Sequence, residues 1–380
     1  MAEAARSGAP RLAFVDALKA LACQLIVLHH LAFYGPMSDH ASLLAPALMT
    51  WLSQEARIAV QAFLVVGGFL AVRSLAPHAT LLRDQPLVLV LQRYRKLVAP
   101  YLAAVLIGIV CAAIARALMS HDSVPGPPTL PQVVAHAFLL QDIVGYEGLS
   151  AGVWYIAIDF QLFALLVGLL WLARGNGRRT TAAPLVGISL VATLALASLW
   201  HFNRDGDWDS WGVYFFASYA MGILSYWASN RQRSLLWLLP MLVLVITALA
   251  FDYRARIAVA LSIALLLALV RSGGLLERWP KSPLIAYLGQ ISYAVFLVHF
   301  PVCLLINGLF TRFAWHDPWV SLFGMLLAWL TSIAVGALFH HFVESPAQRW
   351  RPGASPTRRP AASLPRPAQN SSECHPHPPA

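Results

Sequence analysis

Ten stretches of the chain are nearly free of charge and run for about twenty residues, the length of helix that crosses a ~30 Å hydrocarbon layer. They lie near 12–33, 56–75, 97–118, 153–173, 183–201, 211–228, 234–251, 256–271, 286–310 and 318–342. None alternates polar and apolar residues as a membrane barrel strand would. In lipid every backbone N–H and C=O must be paired within the protein, so unalternating apolar runs form helices. The pattern predicts an all-α fold, a polytopic membrane helix bundle of about ten transmembrane helices. The first stretch continues to Phe33 without a small-residue cleavage pattern, so it reads as an uncleaved helix rather than a signal peptide.

Composition agrees with the pattern. Of 380 residues, 58% are hydrophobic and 12% charged, and the mean hydropathy is +0.63, whereas soluble domains carry roughly 25% charged residues. The net charge of +10 would suggest nucleic acid in a soluble chain. In a membrane chain it points to loops facing the cytoplasm, and no nucleic-acid partner is expected. With both termini inside, the inner segments hold roughly four times as many Lys and Arg as the outer ones, the bias that fixes orientation. The exceptions are Arg116, Arg204, Arg254, Arg256 and Arg312, with Arg57 at the outer end of the second helix. Both termini are therefore expected to be cytoplasmic.

Outer segments carry Asp122, Asp142, Glu147, Asp205, Asp207 and Asp209, and the longest of them, 119–152, is a place for an acceptor to bind. Residues 1–10 read as a short cytoplasmic N-terminus, 11–346 as one membrane domain, and 347–380, rich in Pro and Arg, as a disordered cytoplasmic tail. The tail string Cys374-His375-Pro376-His377 has ligand-type side chains, but a thiol and two histidines in a disordered end are weak ligand evidence, and no metal is expected.

Ionisable residues inside spanning helices cost several kcal/mol unless paired or hydrated, so each is a site candidate. The first helix holds Asp16, Lys19, His29 and His30. Lys19 and His30 are three helical turns apart, on one face within about 20° and about 16 Å apart along the axis, while His29 points about 80° away. One reading is a polar stripe lining a cavity. The other is an interfacial ion pair of Asp16 with Lys19, and histidines that act as glue between helices.

Four further strings break the apolar pattern: Val60 to Leu70 with Gly67-Gly68 in mid-helix, Arg93-Tyr94-Arg95-Lys96 before Pro100, Trp154 with Asp159 about two turns into its helix, and Gly289-Gln290-Ile291-Ser292-Tyr293 with His299 and Pro301, followed by Glu344 and Pro346. Ser292 and His299 are two turns apart and share a face. They are either catalytic partners or structural polar contacts, and Glu344 with Pro346 either fixes the end of the last helix or serves the site.

In this order the strings resemble the acyltransferase 3 family of bacterial membrane acyltransferases, over about residues 11–346. Asp16, Lys19 and His30 match its first-helix pattern. Arg93 to Lys96 with Pro100-Tyr101 looks like its R-x-x-R element, and Trp154 with Asp159 like its tryptophan-plus-acid helix opening. Gly289, Ser292, Tyr293, His299, Pro301, Glu344 and Pro346 match its late strings. The chain departs from the family with Gly67 for the usual serine, Lys96 for the second arginine, which loses the bidentate fork, and Asp159 for the commoner glutamate. It lacks the SGNH-type hydrolase domain of some relatives and reads as a stand-alone module.

The resemblance implies a multi-pass protein of the bacterial inner membrane that moves an acyl group, usually acetyl from acetyl-CoA, to a hydroxyl of a cell-envelope carbohydrate or lipid-linked glycan. No tightly bound cofactor is implied. His30 is the implied general base, a neutral imidazole being suited to that task near pH 7, with Asp159 or Asp16 to orient it. Lys19, Arg93 and Lys96 are the implied acyl-CoA contacts, and Trp154, Ser292, Tyr293, His299 and Glu344 the supporting residues. The competing class is a glycolipid or polyol transporter or flippase, since helices with buried charge also suit a translocation path. Against it stands the absence of an evident inverted repeat.

Overall fold

The structure, a computed structural model, describes residues 11–82, 85–174, 182–229, 235–313 and 316–349. The N-terminal ten residues and all of the tail beyond Arg349 fall outside the described residues. In chain order the helices are α1 (Ala13–Phe33), α2 (Met37–Ala41), α3 (Pro46–Gln54), α4 (Val60–Leu75), α5 (Pro86–Leu118), α6 (Leu130–Ala137), α7 (Val153–Ala173), α8 (Ala183–Trp200), α9 (Gly212–Ala228), α10 (Leu239–Phe251), α11 (Ala255–Ser272), α12 (Pro283–Arg312), α13 (Pro318–Phe339) and α14 (Ser345–Arg349). No strand occurs among the described residues.

All ten predicted stretches are helical, and eight helices among the described residues are long and apolar enough to cross a membrane. The other two are α9, with 17 residues, and the short apolar stretch Leu235–Phe251 that contains α10. Seventeen residues rise about 26 Å, less than the ~30 Å of a hydrocarbon core. The chain is an all-helical, multi-pass membrane protein.

The largest difference from the sequence reading is α5, which starts at Pro86 and runs for 33 residues. The cationic run before Pro100, which the sequence places at the opening of the third helix, therefore lies about two turns inside it. Proline at the first turn opens a helix because its missing N–H would be unpaired there anyway. Arg and Lys then continue it at little entropic cost, their apolar stems lying along the helix.

The bundle is organised around α12, whose spanning window is 83% buried against 28% for the Ala183–Arg204 stretch at the periphery. It packs on α1, α5 and α13. A second group, α4, α9 and α11, packs beside α1, and α7 joins it to α5. Lipid supplies no hydrophobic drive between helices, so close backbone approach must hold these layers together. Two crossings show it. A Cβ on Gly289 would overlap the backbone of Asp16 where α12 meets α1, and Cβ atoms on Gly68 and Gly222 would overlap the carbonyls of Tyr219 and Val65 where α4 crosses α9.

Gly222→Val should force α4 and α9 apart and destabilise the bundle by about 1–3 kcal/mol, the usual range for overpacking. A thermal-unfolding scan in detergent checks it against Gly168→Ala, where no atom lies within 4 Å of the new Cβ. That control should unfold at or above the wild-type temperature.

Candidate functional site

His30 sits one turn before the end of α1, and His299 lies at mid-length of α12. The α1–α12 crossing brings them together. His30 Nδ1 is 2.6 Å from His299 Nε2, and the ring planes lie within 4° of each other, as an in-plane N–H···N bond requires. Both are buried, at 9% and 1% exposure.

The direction of this hydrogen bond follows from the next contact. His299 Nδ1 lies 2.8 Å from the carbonyl oxygen of Phe296. A carbonyl only accepts, so Nδ1 of His299 carries the proton. In a neutral His299 the lone pair is then on Nε2. It accepts from His30 Nδ1–H, which leaves the lone pair of a neutral His30 on its own Nε2. The chain Phe296 C=O, His299, His30 thus fixes the tautomer of a base whose basic nitrogen points away from its partner. His29, on another face, has its Nδ1 2.9 Å from the Leu52 carbonyl and ties α1 to the end of α3.

The two aspartates make other contacts. Asp159 of α7 is ion-paired with Arg93 of α5, whose guanidinium also lies over the Phe163 ring, 5.3 Å from its centroid. Tyr155 and Tyr219 are electrostatic neighbours of Arg93. Gly67 adjoins the pair, and a Cβ there would stand 3.6 Å from Asp159 Oδ1 and 3.4 Å from the Tyr219 ring. This is ordinary contact, so the small residue is not forced by space.

Asp16 accepts from Arg11 Nε at 2.6 Å and faces Lys19 Nζ at 3.9 Å. Arg11 also reaches the Ala286 carbonyl near the start of α12. Glu344 is an electrostatic neighbour of Lys19. It is buried in the π turn His340–Glu344, where His340 Nδ1 and Gln348 Nε2 each lie 2.8 Å from its carboxylate. Arg11, Asp16, Lys19 and Glu344 form a charged cluster at the end of the bundle where α1 begins.

The remaining sequence candidates are dispersed. Lys96 is exposed. Ser292 donates its hydroxyl to the Gly289 carbonyl at 2.9 Å, within its own helix, while its carbonyl accepts from Cys23 Sγ at 3.3 Å. Tyr293 donates to the Leu97 carbonyl at 3.3 Å. Trp154 packs on Phe215, with ring centroids 5.7 Å apart.

At the end of the bundle where α1 terminates, a cavity of about 640 Å³ opens. Its walls include Glu55, Arg57, Gln61, Trp154, Asp209, Tyr214, Phe215 and Arg254 to Arg256, and nothing from 119–152, where the sequence suggests acceptor binding. Two lines of contact run from it to the histidine pair. Arg57 on the 3-10 turn Ala56–Ala59 is an electrostatic neighbour of His29, whose ring centroid lies 4.9 Å from that of His30. On the other side Trp154, Tyr155, Phe296 and His299 follow one another at ring-centroid separations of 6.1, 5.7 and 6.0 Å.

Sequence reasoning named His299 without seeing its partner, because the pair is 269 positions apart. It also passed over the cavity arginines. The signal was present: Arg57, Arg254 and Arg256 are among the few cations on the cation-poor side of the chain.

Among the described residues no cluster of three or more His, Cys, Asp or Glu side chains has the arrangement to hold a metal ion. The sequence was also compared with known proteins. No curated relative and no solved structure matches it. The profile of a family described as an acyltransferase domain matches residues 12–338, which takes in every helix from α1 to α13. With most of its length matched, the chain belongs to the acyltransferase 3 family.

Proposed function

We propose that this membrane acyltransferase moves an acyl group, acetyl in the first place, from acyl-CoA to a hydroxyl of a cell-envelope carbohydrate or lipid-linked glycan. The bacterial inner membrane is the setting this reading requires. One observation carries it: the hydrogen-bonded chain from Phe296 through His299 presents His30 as a neutral base with Nε2 unprotonated. Nothing in the family membership supports a transporter or flippase.

The acceptor O–H gives its proton to His30 Nε2 as its oxygen attacks the thioester carbonyl. The C–S bond breaks, the thiolate leaves, and the proton on Nε2 passes to sulfur to give the free thiol. His299 accepts the His30 Nδ1–H throughout, so it holds the ring orientation while positive charge develops. His299 is thus a positioning residue. Lys19, at the end of the bundle that the charge bias assigns to the cytoplasm, meets the phosphates of the donor, whose long uncharged pantetheine arm then runs along α1 toward His30. Arg93, ion-paired with Asp159 across α5 and α7, favours the oxyanion that forms at the thioester carbon. Asp159 keeps that guanidinium fixed. Asp16 does the same for Lys19. Lys96, exposed on α5, extends the phosphate-binding surface.

His30→Ala should lower transfer of label from radiolabelled acetyl-CoA in inverted membranes by about 10²–10⁴-fold, the contribution of a positioned base. Full activity at a normal protein level would remove the general-base role. His299→Gln keeps an acceptor for His30 Nδ1–H and should retain more kcat than His299→Phe. The Phe variant should also change the pH profile of kcat while leaving the KM for acyl-CoA unaltered, which a loss of packing alone does not do. Lys19→Ala should raise the KM for acyl-CoA several-fold with little effect on kcat, as removal of a charge-assisted phosphate contact does. An unchanged donor dependence would exclude Lys19 from that contact.

A further inference from the structure

The 640 Å³ cavity at the end of α1 combines three features that are each unfavourable in an empty site. The first concerns α11, which begins at Ala255, on the cavity wall. Its first N–H groups have no carbonyl partner inside the helix, and the aligned peptide dipoles make this end positive. Arg254 and Arg256 flank it, although cations are unfavourable at a helix N-terminus and acids favourable there.

The second feature is the pinning of these guanidinium groups in place. Arg254, its side chain 10% exposed, donates to the Leu199 carbonyl at 3.0 Å and to Asn203 Oδ1 at 2.9 Å, and it faces Asp252 at 3.5 Å. Asp252 is shared with Arg204 at 3.2 Å. Arg256 donates to the Asn203 carbonyl and lies over the Tyr214 ring, 4.8 Å from its centroid. Its Nε is buried and makes no hydrogen bond, which is unfavourable for a charged group.

The third feature is that Arg57, Arg254 and Arg256 stand on the side of the chain that is otherwise poor in cations. The cavity acids, Glu55 and Asp209, are exposed at the rim, where water screens them. The depth of the cavity is therefore cationic and its mouth mixed.

A single anionic group lodged against α11 offsets the positive end of that helix and supplies the guanidinium groups with a counter-ion. Trp154 and Phe215, also on the wall, offer aromatic surface of the kind that packs on the C–H face of a sugar ring. We propose that this cavity binds the acyl acceptor, and that the acceptor is an acidic sugar, bearing a carboxylate or phosphate that Arg256, Arg254 and the α11 N-terminus hold. Glu55 and Asp209 then accept from sugar hydroxyls at the mouth. This rests on the transferase reading for the word acceptor, while the binding itself does not.

The test uses the full chain in lipid nanodiscs and measures binding of digalacturonate, glucose 6-phosphate and maltose by saturation-transfer NMR. At least one charged sugar should bind about tenfold more tightly than maltose, the scale of one charge-assisted hydrogen bond. The carboxylate and phosphate arms tell which anion is preferred. Arg256→Gln should remove that preference and leave maltose unchanged. Arg57→Gln, an exposed position whose loss does not disturb packing, should weaken the charged sugars several-fold if Arg256→Gln proves unstable. Equal binding of maltose, no binding of either charged sugar, or full retention of the preference in a folded Arg57→Gln, Arg256→Gln double variant would overturn the proposal. His30→Ala should bind the charged sugars as wild type does. A wild-type protein that binds them but transfers no acyl group would sink the transferase reading and leave the cavity assignment standing.

Discussion

Helices in a membrane gain nothing from hydrophobic association, because lipid tails are as apolar as the side chains they would replace. Backbone proximity has to do the work, and in this bundle the crossing of α1 on α12 at Gly289 is the contact from which the site follows. With no side chain on Gly289, the backbone of Asp16 can lie against α12. The two helices then run close enough together that His30 and His299, about four and three turns further along respectively, meet at 2.6 Å. A larger residue at 289 would separate the imidazoles while leaving both helices intact. Geometry at the base is thus set by a contact about 15–20 Å away, at the level of the charged cluster.

The two buried acid–base clusters solve a shared electrostatic problem in different ways. Desolvating a lone charge is prohibitive and breaking a buried pair costs about 3–5 kcal/mol, so the charges of these two clusters have opposites within reach. Arg93 is held by Asp159 across α5 and α7. Lys19 lies among Asp16 and Glu344 near the end of the bundle. These pairs help fix the register between helices that otherwise meet mostly through apolar side chains and glycines. Asp159 and Asp16 are committed to cations, and neither is the hydrogen-bond partner of His30.

The helices were legible in the sequence because hydropathy reports which residues can face lipid, and the ten predicted stretches are helical for that reason. The same signal is blind to which helix touches which. Leu and Val serve equally against lipid and against a neighbour, so the pairing of α4 with α9 rests on Gly68 and Gly222, of which only the first was singled out. The first-helix stripe from Lys19 to His30 was readable from spacing alone. The partner of His30 was not, since His299 and Ser292 share a face of α12 and spacing gives no reason to prefer one. Ser292 is spent on its own helix, bonding the Gly289 carbonyl, a use that polar side chains in apolar helices often find. The length of α5 was missed because apolarity alone marks a span, and Arg93, Arg95 and Lys96 interrupt it.

A histidine rather than a carboxylate behind His30 has a physical consequence. A carboxylate would stabilise the imidazolium strongly, yet at rest it would be an unpaired negative charge at 1–9% exposure, and burying such a charge costs several kcal/mol. A neutral imidazole that accepts through Nε2 and donates through Nδ1 to a backbone carbonyl orients the base with no resting charge to desolvate. In the proposed mechanism the positive charge exists only from attack of the acceptor oxygen until the proton passes to sulfur, and the oxyanion forming at the acyl carbon is an opposite charge close to it. Base and oxyanion then stabilise each other in the transition state and in no other state, which is the condition for an interaction to raise kcat rather than tighten ground-state binding.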